Sequence, residues 1–472
     1  MIHHLYVKRI RPKALNDPKH HPNVDLGGKM HKWRHLLGVS LTALSLAVSA
    51  GVAHATEGYF IEGASARDQG LAGIDSANPG DSLTIGNNPA GLVDVGTQFN
   101  GDISVFMPWR GYTASGTMLT APGNVDSERN AFVLPTLGYS HQIDGESAWG
   151  VGMVGNGGMN TTYPAATFNP NCPPGSAGSG VFCMGRAGVD LNQGLIYVGY
   201  AHRFGNFEVG IAPVLGIQVF SAYGLGAFNM FGLSSAPAFL SDRSPSYSVG
   251  AGVRAGAIYH FNSALSVSVQ GSTPIWSTNF ANYQGLFAQG GSFDIPATIG
   301  AGVSYKVMPT LAVMADYKHI FYSGTASISN PMTPLIPGSA SLGTANGQGF
   351  GWRDVDVFGL SFEWNYSDRL TLRAGYAYST QPITAANVML NLLAPGTVTS
   401  HIGAGFSYLV THNSQVDFSA LYSPRVGVSG QEYIPGFGYN PASNINIWLS
   451  ELQLTLGYTY HWDVPTAVVA KY

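Results

Sequence analysis

The sequence predicts an all-β protein, a 14-stranded antiparallel transmembrane β-barrel with an N-terminal plug inside the lumen. Three observations support this prediction. Segments of alternating apolar and polar residues recur along the chain, short and long connections alternate between them, and aromatic residues and glycine are abundant while charge is scarce. The 472 residues include 61 Gly, 24 Tyr and 23 Phe, and only 10% of them are charged. This composition is typical of β structure with many turns and aromatic girdles.

The N-terminal residues have the features of a secretory signal peptide over 30–55. A basic patch is followed by an apolar run over 36–48 and by the small-residue ending Ala53-His54-Ala55. This ending is the pattern of an A-x-A cleavage site, and the apolar run is short for a spanning helix. We therefore expect the mature chain to begin at Thr56, with residues 1–29 an extended leader or a misplaced start.

The charge of the mature chain excludes some classes of function. Removing residues 1–55 takes away eight Lys/Arg and two Asp/Glu, so the net charge moves from −4 to −10. An acidic chain with so few Lys and Arg is a poor candidate for nucleic-acid binding, and no nucleic-acid partner is expected. No later apolar run is long enough for a membrane helix, and strands cross lipid only as a closed barrel.

The last alternating segment shows the two faces of such a strand. In residues 451–462 every second residue from Leu452 to Trp462 is apolar, and the residues between them are mostly polar. One face therefore suits lipid and the other suits a polar lumen. Because Pro465 interrupts the pattern beyond Trp462, residues 463–472 are expected to form a periplasmic tail.

Thirteen further segments can be counted back from this strand, and the barrel is expected to span 98–462. Tight turns such as Asp144-Gly145, a strong hairpin signal, join the two members of a pair. An even number of strands closes a barrel without an exposed edge. Residues 56–97 are rich in small residues and turn formers, and they are interpreted as the plug. The segments are 98–116, 131–143, 147–163, 194–204, 207–222, 248–261, 263–275, 298–307, 310–323, 352–366, 368–380, 400–411, 413–424 and 450–462.

Five motifs spread over the mature chain carry a resemblance to a known family. They are Gly58-Tyr59-Phe60 through Ala72-Gly73, Asn88-Pro89-Ala90, the NGGMNTTY stretch at 156–163, Asp316-Tyr317-Lys318 running to Tyr322-Ser323, and Trp352-Arg353-Asp354. In this order and spacing the chain resembles the FadL/TodX-type outer-membrane transporters of long-chain fatty acids and aromatic hydrocarbons. The resemblance covers nearly the whole mature chain.

The resemblance implies that the N-terminal segment forms a small helical hatch that plugs the barrel and that a kink in the third strand opens a lateral gap in the wall. The hatch residues are then Tyr59, Phe60, Asn88, Pro89 and Ala90. Proline fixes φ in the triplet, which suits a rigid corner or an ordinary turn. Glycine in a strand often marks a bulge, although it also serves barrel curvature. The lateral opening then comprises Gly155, Asn156, Gly157 and Gly158.

The predicted function is transport of hydrophobic compounds, either long-chain fatty acids or hydrocarbons. An apolar solute gains roughly 0.8 kcal/mol for each CH₂ moved from water to an apolar site, and a water-filled pore forfeits that gain. We expect capture at extracellular loops, lateral release through the third strand, and a monomer in contact with lipid in a Gram-negative outer membrane. Apolar loop residues are candidates for binding the ligand, or they pack among themselves as a lid. They are Leu225, Phe228, Met230, Phe231, Leu233, Trp276, Phe280 and Phe287.

Charged residues within the segments fall on faces directed away from lipid, where charge is expensive. They are Asp316, Lys318, Glu363, Arg373 and Arg254. Ion pairing across neighbouring strands is the expected role, because buried charges are generally paired. Alternatively, Arg254 or Lys318 receives the carboxylate of a fatty acid.

The remaining polar chemistry gives little support to an enzyme. Cys172 and Cys183, the only cysteines, lie in one long loop, which in an exported protein favours a disulfide. Without a nearby His pair no metal site is expected. No G-x-S-x-G or H-E-x-x-H motif occurs, so no enzyme and no cofactor are predicted. The alternative functions are a general diffusion porin for small solutes and, less favoured, an outer-membrane hydrolase.

Overall fold

The computed structural model describes residues 57–332, 341–434 and 437–462. The expected leader (1–29), signal peptide (30–55) and periplasmic tail (463–472) lie outside the described residues.

Fourteen strands of the described chain form one closed antiparallel barrel, which confirms the predicted fold class. Each strand pairs with its neighbours in chain order, and the last strand pairs with the first from Gln98↔His461 to Ser115↔Asn444, which closes the wall. The strands are β1 Gln98–Ser115, β2 Phe132–Gln142, β3 Ser147–Tyr163, β4 Ala187–Phe204, β5 Phe207–Tyr223, β6 Ser246–His260, β7 Leu265–Ser272, β8 Thr298–Met308, β9 Leu311–Ile320, β10 Val355–Asn365, β11 Leu370–Ser379, β12 Ser400–Leu409, β13 Ser414–Gly430 and β14 Asn444–His461.

Side chains alternate across this wall as the sequence pattern predicts. In β14 Leu456 and Tyr458 are exposed, whereas Gln453, Thr455 and Thr459 are buried against the interior. The apolar face is therefore directed outward and the polar face inward. This is the arrangement that a strand needs between lipid and a polar lumen.

Three strands extend further toward the long-loop end than the alternation predicts. β4 begins at Ala187, β13 ends at Gly430 and β14 begins at Asn444. In the added part of β14, the inward side chains Ile445 and Ile447 are apolar and fully buried. At this level the inward side chains are apolar and the alternate residues Asn444 and Asn446 are polar, the reverse of the lipid-facing part of the strand, so the sequence pattern ends the strands too early.

Residues 57–97 lie in the barrel interior and form short helical turns. They contain the α-helix α1 (Ala66–Gly70) and two 3₁₀ helices, Ser82–Gly86 and Pro89–Val93. Side chains start each turn, since the Asn88 Oδ1 accepts a hydrogen bond from the Ala90 N–H at 3.1 Å, and Ser65 and Asp81 cap the other two. Asn, Asp and Ser are preferred at such positions because their oxygens satisfy N–H groups at a helix start.

The long loops carry the remaining short elements. The strands outside the wall are Gly123–Asp126, Trp276–Ser277, Tyr433–Ile434 and Gly438–Tyr439. The α-helices are Gly226–Met230, Ala288–Gly291, Ala326–Ser329 and Val388–Asn391, and the 3₁₀ helices are Pro237–Phe239, Ala281–Tyr283, Tyr322–Gly324 and Ala385–Asn387. In the described part of the chain, no helix has the length and apolarity needed to span a membrane.

Candidate functional site

The hydrogen-bonded wall is interrupted between β2 and β3. Their ladder runs only from Gln142↔Ala148 to Leu137↔Met153, whereas β3 continues along β4 as far as Tyr163↔Ala187. At the top the gap closes again, because the Glu128 N–H donates to the Thr162 carbonyl at 2.8 Å. The edge of β3 therefore lacks a neighbouring wall strand between these two levels, a stretch that we call the ladder break.

A bulge in β3 lies within the ladder break. The register with β4 shifts between Gly155 and Gly157, so that one extra residue, Asn156, enters the strand. Gly157 has a φ of +149°, which favours glycine, and a Cβ at this position would come within 1.6 Å of the Tyr59 carbonyl oxygen. Glycine is thus required at residue 157 because the hatch backbone approaches the wall without room for a side chain.

The first hatch residues lie inside the barrel, beside the stretch of β3 that lacks a neighbouring wall strand. Phe60 forms a β-bridge with Gly157, and the Ile61 N–H donates to the Asn156 carbonyl at 3.0 Å. The Tyr59 N–H donates to the Tyr322 hydroxyl at 3.1 Å, and that hydroxyl donates to the Glu57 carbonyl at 2.6 Å. The hatch segment thus satisfies backbone groups of β3 that would otherwise face hydrocarbon unpaired.

A cavity of about 70 Å³ lies between the hatch and the bulge. Part of its wall is apolar, and two cations line it, Arg254 of β6 and Lys318 of β9. Lys318 forms an ion pair with Glu57 of the hatch, while the Arg254 Nη1–H donates to the Asn87 carbonyl at 3.0 Å. The other lining residues are Phe60, Ile61, Gly63, Ala64, Asp68, Gly73, Gly86, Asn87, Val154, Gly155, Asn156, Leu195, Tyr197 and Thr298.

A buried ionic network fixes the hatch to the opposite wall. The Arg67 guanidinium contacts Asp75 at 2.8 Å (Nη1–Oδ2) and Glu363 of β10 at 3.1 Å (Nε–Oε2). Arg373 of β11 also contacts Glu363 at 2.6 Å (Nε–Oε2), and this is the pairing across neighbouring strands that the sequence predicts. Burial alone would lower the pKa of Arg67, but the carboxylates of Glu363 and Asp75 outweigh it and raise that pKa.

The other inward charges mostly meet the hatch and not a neighbouring strand. Asp316 accepts a hydrogen bond from the Ser76 N–H at 2.9 Å, and the Glu62 carboxylate lies 2.6 Å from His401 (Oε2–Nδ1). Burial raises the pKa of Glu62 well above its ordinary value. The expectation of strand-to-strand pairing therefore describes Glu363 and Arg373, whereas Asp316 has a hatch partner that the sequence does not indicate.

An apolar groove of about 20 Å³ lies among the long loops. Phe228, Phe231 and Leu233 of the predicted ligand-binding set line it, together with Phe182 and Cys183. The Phe182 and Phe228 rings meet edge to face with centroids 5.3 Å apart. The remaining lining residues are Met118, Leu119, Asn171, Pro173, Ala227 and Met389.

A disulfide and a buried carboxylate hold the loops that line this groove. A disulfide joins Cys172 and Cys183, whose Cα atoms are 5.3 Å apart. The fully buried Glu432 carboxylate accepts hydrogen bonds from the N–H groups of Met118, Leu119 and Thr120 at 2.5, 2.9 and 2.7 Å. Three charge-assisted hydrogen bonds to consecutive N–H groups fix a loop that has no regular structure of its own.

The structure does not bring the remaining predicted ligand-binding residues to the groove lining. Leu225 is buried, and Met230 is exposed outside the lining. Trp276 is 60% exposed in a short strand beside β6. Phe280 and Phe287 are buried and pack with each other and with neighbouring aromatic rings, which matches the alternative that these aromatics pack among themselves. Those ring contacts are Phe220–Phe287 at 4.6 Å, Phe287–Phe293 at 4.9 Å and Phe280–Phe287 at 5.8 Å.

Comparison with known proteins agrees with this geometry. The family model described as outer membrane protein transport protein (OMPP1/FadL/TodX) matches residues 242–458. The Pseudomonas putida toluene transporter TodX superimposes with a TM-score of 0.62 at 17% identity, covering 85% of this chain and 99% of that chain. A Pseudomonas aeruginosa FadL homologue gives 0.60 at 16% identity, with 86% and 100% covered. The Ralstonia pickettii toluene transporter TbuX gives 0.57 at 16% identity, with 85% and 99% covered.

Over residues 242–458 the chain is similar to the FadL/TodX family, and its fold is that of the solved toluene-transporter barrels. No curated protein matches it by sequence. At 16–17% identity the solved structures establish the fold, and the family model adds that the FadL/TodX family is one of outer-membrane transport proteins.

Several residues that fix the hatch and the loops of this barrel are missing from the sequence prediction. Arg67, Glu62 and Glu432 are buried charges in loops or in the hatch, where no alternation marks the direction of a side chain. Their burial is evident only in the folded structure, where the hatch lies inside the barrel. Trp352 and Tyr322, by contrast, belong to predicted motifs, and their rings lie 5.2 Å apart beside the start of the hatch.

Proposed function

We propose that the protein carries hydrophobic compounds across the outer membrane, capturing them at the apolar surface of the long loops and releasing them sideways through the ladder break. The observation that carries the proposal is the break itself. Its wall strand is missing over the level of the bulge, and the space behind it holds a hatch segment and a partly apolar cavity. A ligand that leaves there passes from an apolar site into lipid and avoids water, which conserves the free energy of its burial.

Neutral apolar compounds, such as aromatic hydrocarbons, are the proposed substrate class. The similar proteins include transporters named for toluene, TodX and TbuX. Lys318 is already paired with Glu57, so it has little charge to offer a carboxylate. Long-chain fatty acids are the second candidate, because Arg254 lines the same cavity and its Nη1–H donates to a neutral backbone carbonyl, not to a carboxylate.

A general diffusion porin needs an open lumen, whereas residues 57–97 fill the interior of this barrel with mostly buried side chains. The proposed transporter is therefore expected to show little steady ion conductance in a planar bilayer. Large steady conductance by the full mature chain would contradict the proposal and favour the porin.

Uptake measurements test the substrate class. Cells that lack their own hydrophobic-compound transporters and express this chain are given labelled toluene or labelled palmitate in separate experiments. Faster toluene entry than in cells with an empty vector supports the proposal, and palmitate entry alone would shift the assignment to fatty acids. Arg254→Met serves to separate the two, because it should lower palmitate entry and spare toluene.

A further inference from the structure

A second cavity of about 40 Å³ lies at the ladder break, above the bulge, and it contains a buried cation. Arg110 of β1 lines it and is only 4% exposed. Its Nε–H donates to the Asn160 carbonyl of β3 at 2.5 Å, and its Nη1–H donates to the Pro108 carbonyl at 3.0 Å. The guanidinium thus spans from β1 to β3 at a level where β2 does not pair with β3.

One nitrogen of this guanidinium lacks a partner. Arg110 Nη2 is buried and has no hydrogen-bond acceptor. A buried donor without an acceptor carries a desolvation cost, so an acceptor that reaches it from the cavity is favoured. The rest of the cavity lining is mostly apolar and includes Phe106, Met159, Trp352 and Leu449.

The charge beside Arg110 limits what this acceptor can be. Glu451 of β14 lines the same cavity and is 1% exposed, and its register partner on β1 is Pro108, two residues from Arg110. A carboxylate entering the cavity would lie near the Glu451 carboxylate at low dielectric, where two like charges repel strongly. A neutral acceptor, such as a hydroxyl or a carbonyl, meets the unpartnered nitrogen without that repulsion.

The cavity volume limits the size of the group. A water molecule needs roughly 10–15 Å³ of such volume, so about 40 Å³ holds a small polar end group and not an aromatic ring. The apolar body of the compound would then lie along the ladder break beside Gly158 and Met159, where wall hydrogen bonds are absent.

We propose that this pocket binds the polar end of an apolar compound with a neutral hydrogen-bond acceptor, with a phenol as the simplest case and Arg110 as the donor. The proposal rests on the proposed function, since it assigns a polar subsite to the same lateral route. The proposal predicts that compounds with a neutral acceptor bind more tightly than compounds without one. The apolar groove and the hydrophobic effect alone do not produce this preference.

Direct binding tests the proposal without transport. The full mature chain is purified in detergent, and binding of p-cresol, toluene and p-toluate at pH 7 is measured by calorimetry. These probes share one ring and differ in a single substituent. The wild type is expected to bind p-cresol at least tenfold more tightly than either toluene or p-toluate. Arg110→Met should bind p-cresol and toluene alike, and Arg129→Met, a change of a cation outside the pocket lining, should keep the preference.

The outcomes distinguish this pocket from the transport proposal. Equal p-cresol and toluene binding by the wild type, or a preference that survives in Arg110→Met, overturns the pocket. Absence of toluene binding in every form would instead count against the proposed function. If Arg110→Met does not fold, Glu451→Gln provides the second test. It should raise the affinity for p-toluate relative to toluene, and an unchanged ratio refutes the charge argument.

Discussion

Replacing Gly157 with valine should block the lateral route while the barrel still folds. A Cβ at residue 157 would lie 1.6 Å from the Tyr59 carbonyl oxygen, whereas ordinary contact begins near 3.4 Å, so hatch and wall must separate by about 1.8 Å. The φ of +149° adds a backbone cost of roughly 1–3 kcal/mol for a non-glycine residue. Loss of the hydrogen bond from Ile61 to Asn156 adds about 1 kcal/mol. We therefore expect the bulge to change shape and the hatch to lose its contact with β3.

Heat-modifiable gel migration reports whether the Gly157→Val barrel folds, and uptake of labelled toluene reports transport. We expect normal migration with uptake reduced at least tenfold. Gly194→Val is the matched control, because Gly194 pairs with Gly155 on the neighbouring strand and a Cβ there meets nothing within 4 Å. Wild-type uptake by a folded Gly157→Val barrel would refute the lateral-release reasoning. The triple change of Gly155, Gly157 and Gly158 to valine should have the same effect.

Three further perturbations concern the hatch and the groove. Arg67→Met should weaken hatch docking by about 3–5 kcal/mol, since it leaves the buried Asp75 carboxylate without its cation and Glu363 with Arg373 alone, and urea unfolding measures this. Replacing Cys172 and Cys183 with serine removes a closure worth about 3 kcal/mol for a separation of 11 residues, which should weaken toluene binding at the long loops in calorimetry. Partial desolvation, aided by the neighbouring Glu208 carboxylate, raises the pKa of the Asp94 carboxyl to about 6. Its contribution to hatch docking is complete below the ordinary pKa near 4 and is lost as pH rises through 6, so the protection factors of hatch amides, corrected for the intrinsic pH dependence of exchange, should fall from pH 5 to 7.

Each of these expectations has a control and a contrary result. Arg369→Met changes an exposed arginine in a short turn and should leave the unfolding free energy unchanged; a loss below 1 kcal/mol in Arg67→Met would contradict the network. Unchanged toluene affinity in the double serine variant would show that the disulfide does not shape the groove. The protection factors of the hatch in Asp94→Asn should lack this pH dependence, and a fall equal to that of the wild type would assign it to another group.

The predicted strands show how far a local pattern extends. Strands β8 and β12 lie close to their predicted bounds because their outward side chains are mostly apolar and the residues between them are small or polar. The first part of β4 was missed because its inward residues Val189 and Leu191 are apolar whereas Asp190 and Asn192 on the other face are polar, which reverses the pattern of a lipid-facing strand. Alternation identifies a membrane strand only where the apolar face is directed outward.

The candidate site was predictable only in part. A run of glycines indicated a bulge or a bend in β3. In the structure, the register of β3 with β4 shifts between Gly155 and Gly157. The cause of that glycine requirement, the Tyr59 carbonyl, lies almost a hundred residues away. Nothing in the neighbouring sequence indicates it, because the contact exists only after the hatch enters the barrel.

The sequence by itself determined the barrel, its strand number and its lipid-facing side, because each of these follows from a two-residue period that local chemistry imposes. The tertiary structure alone decided the partners of the buried charges. Lys318 meets Glu57, Arg67 meets Glu363, and Arg110 reaches Asn160 across the ladder break. These contacts join residues far apart in the chain, and their choice depends on where hatch and wall come together in space. A buried charge needs a partner, but the two-residue period along one strand does not identify the distant residue that provides it.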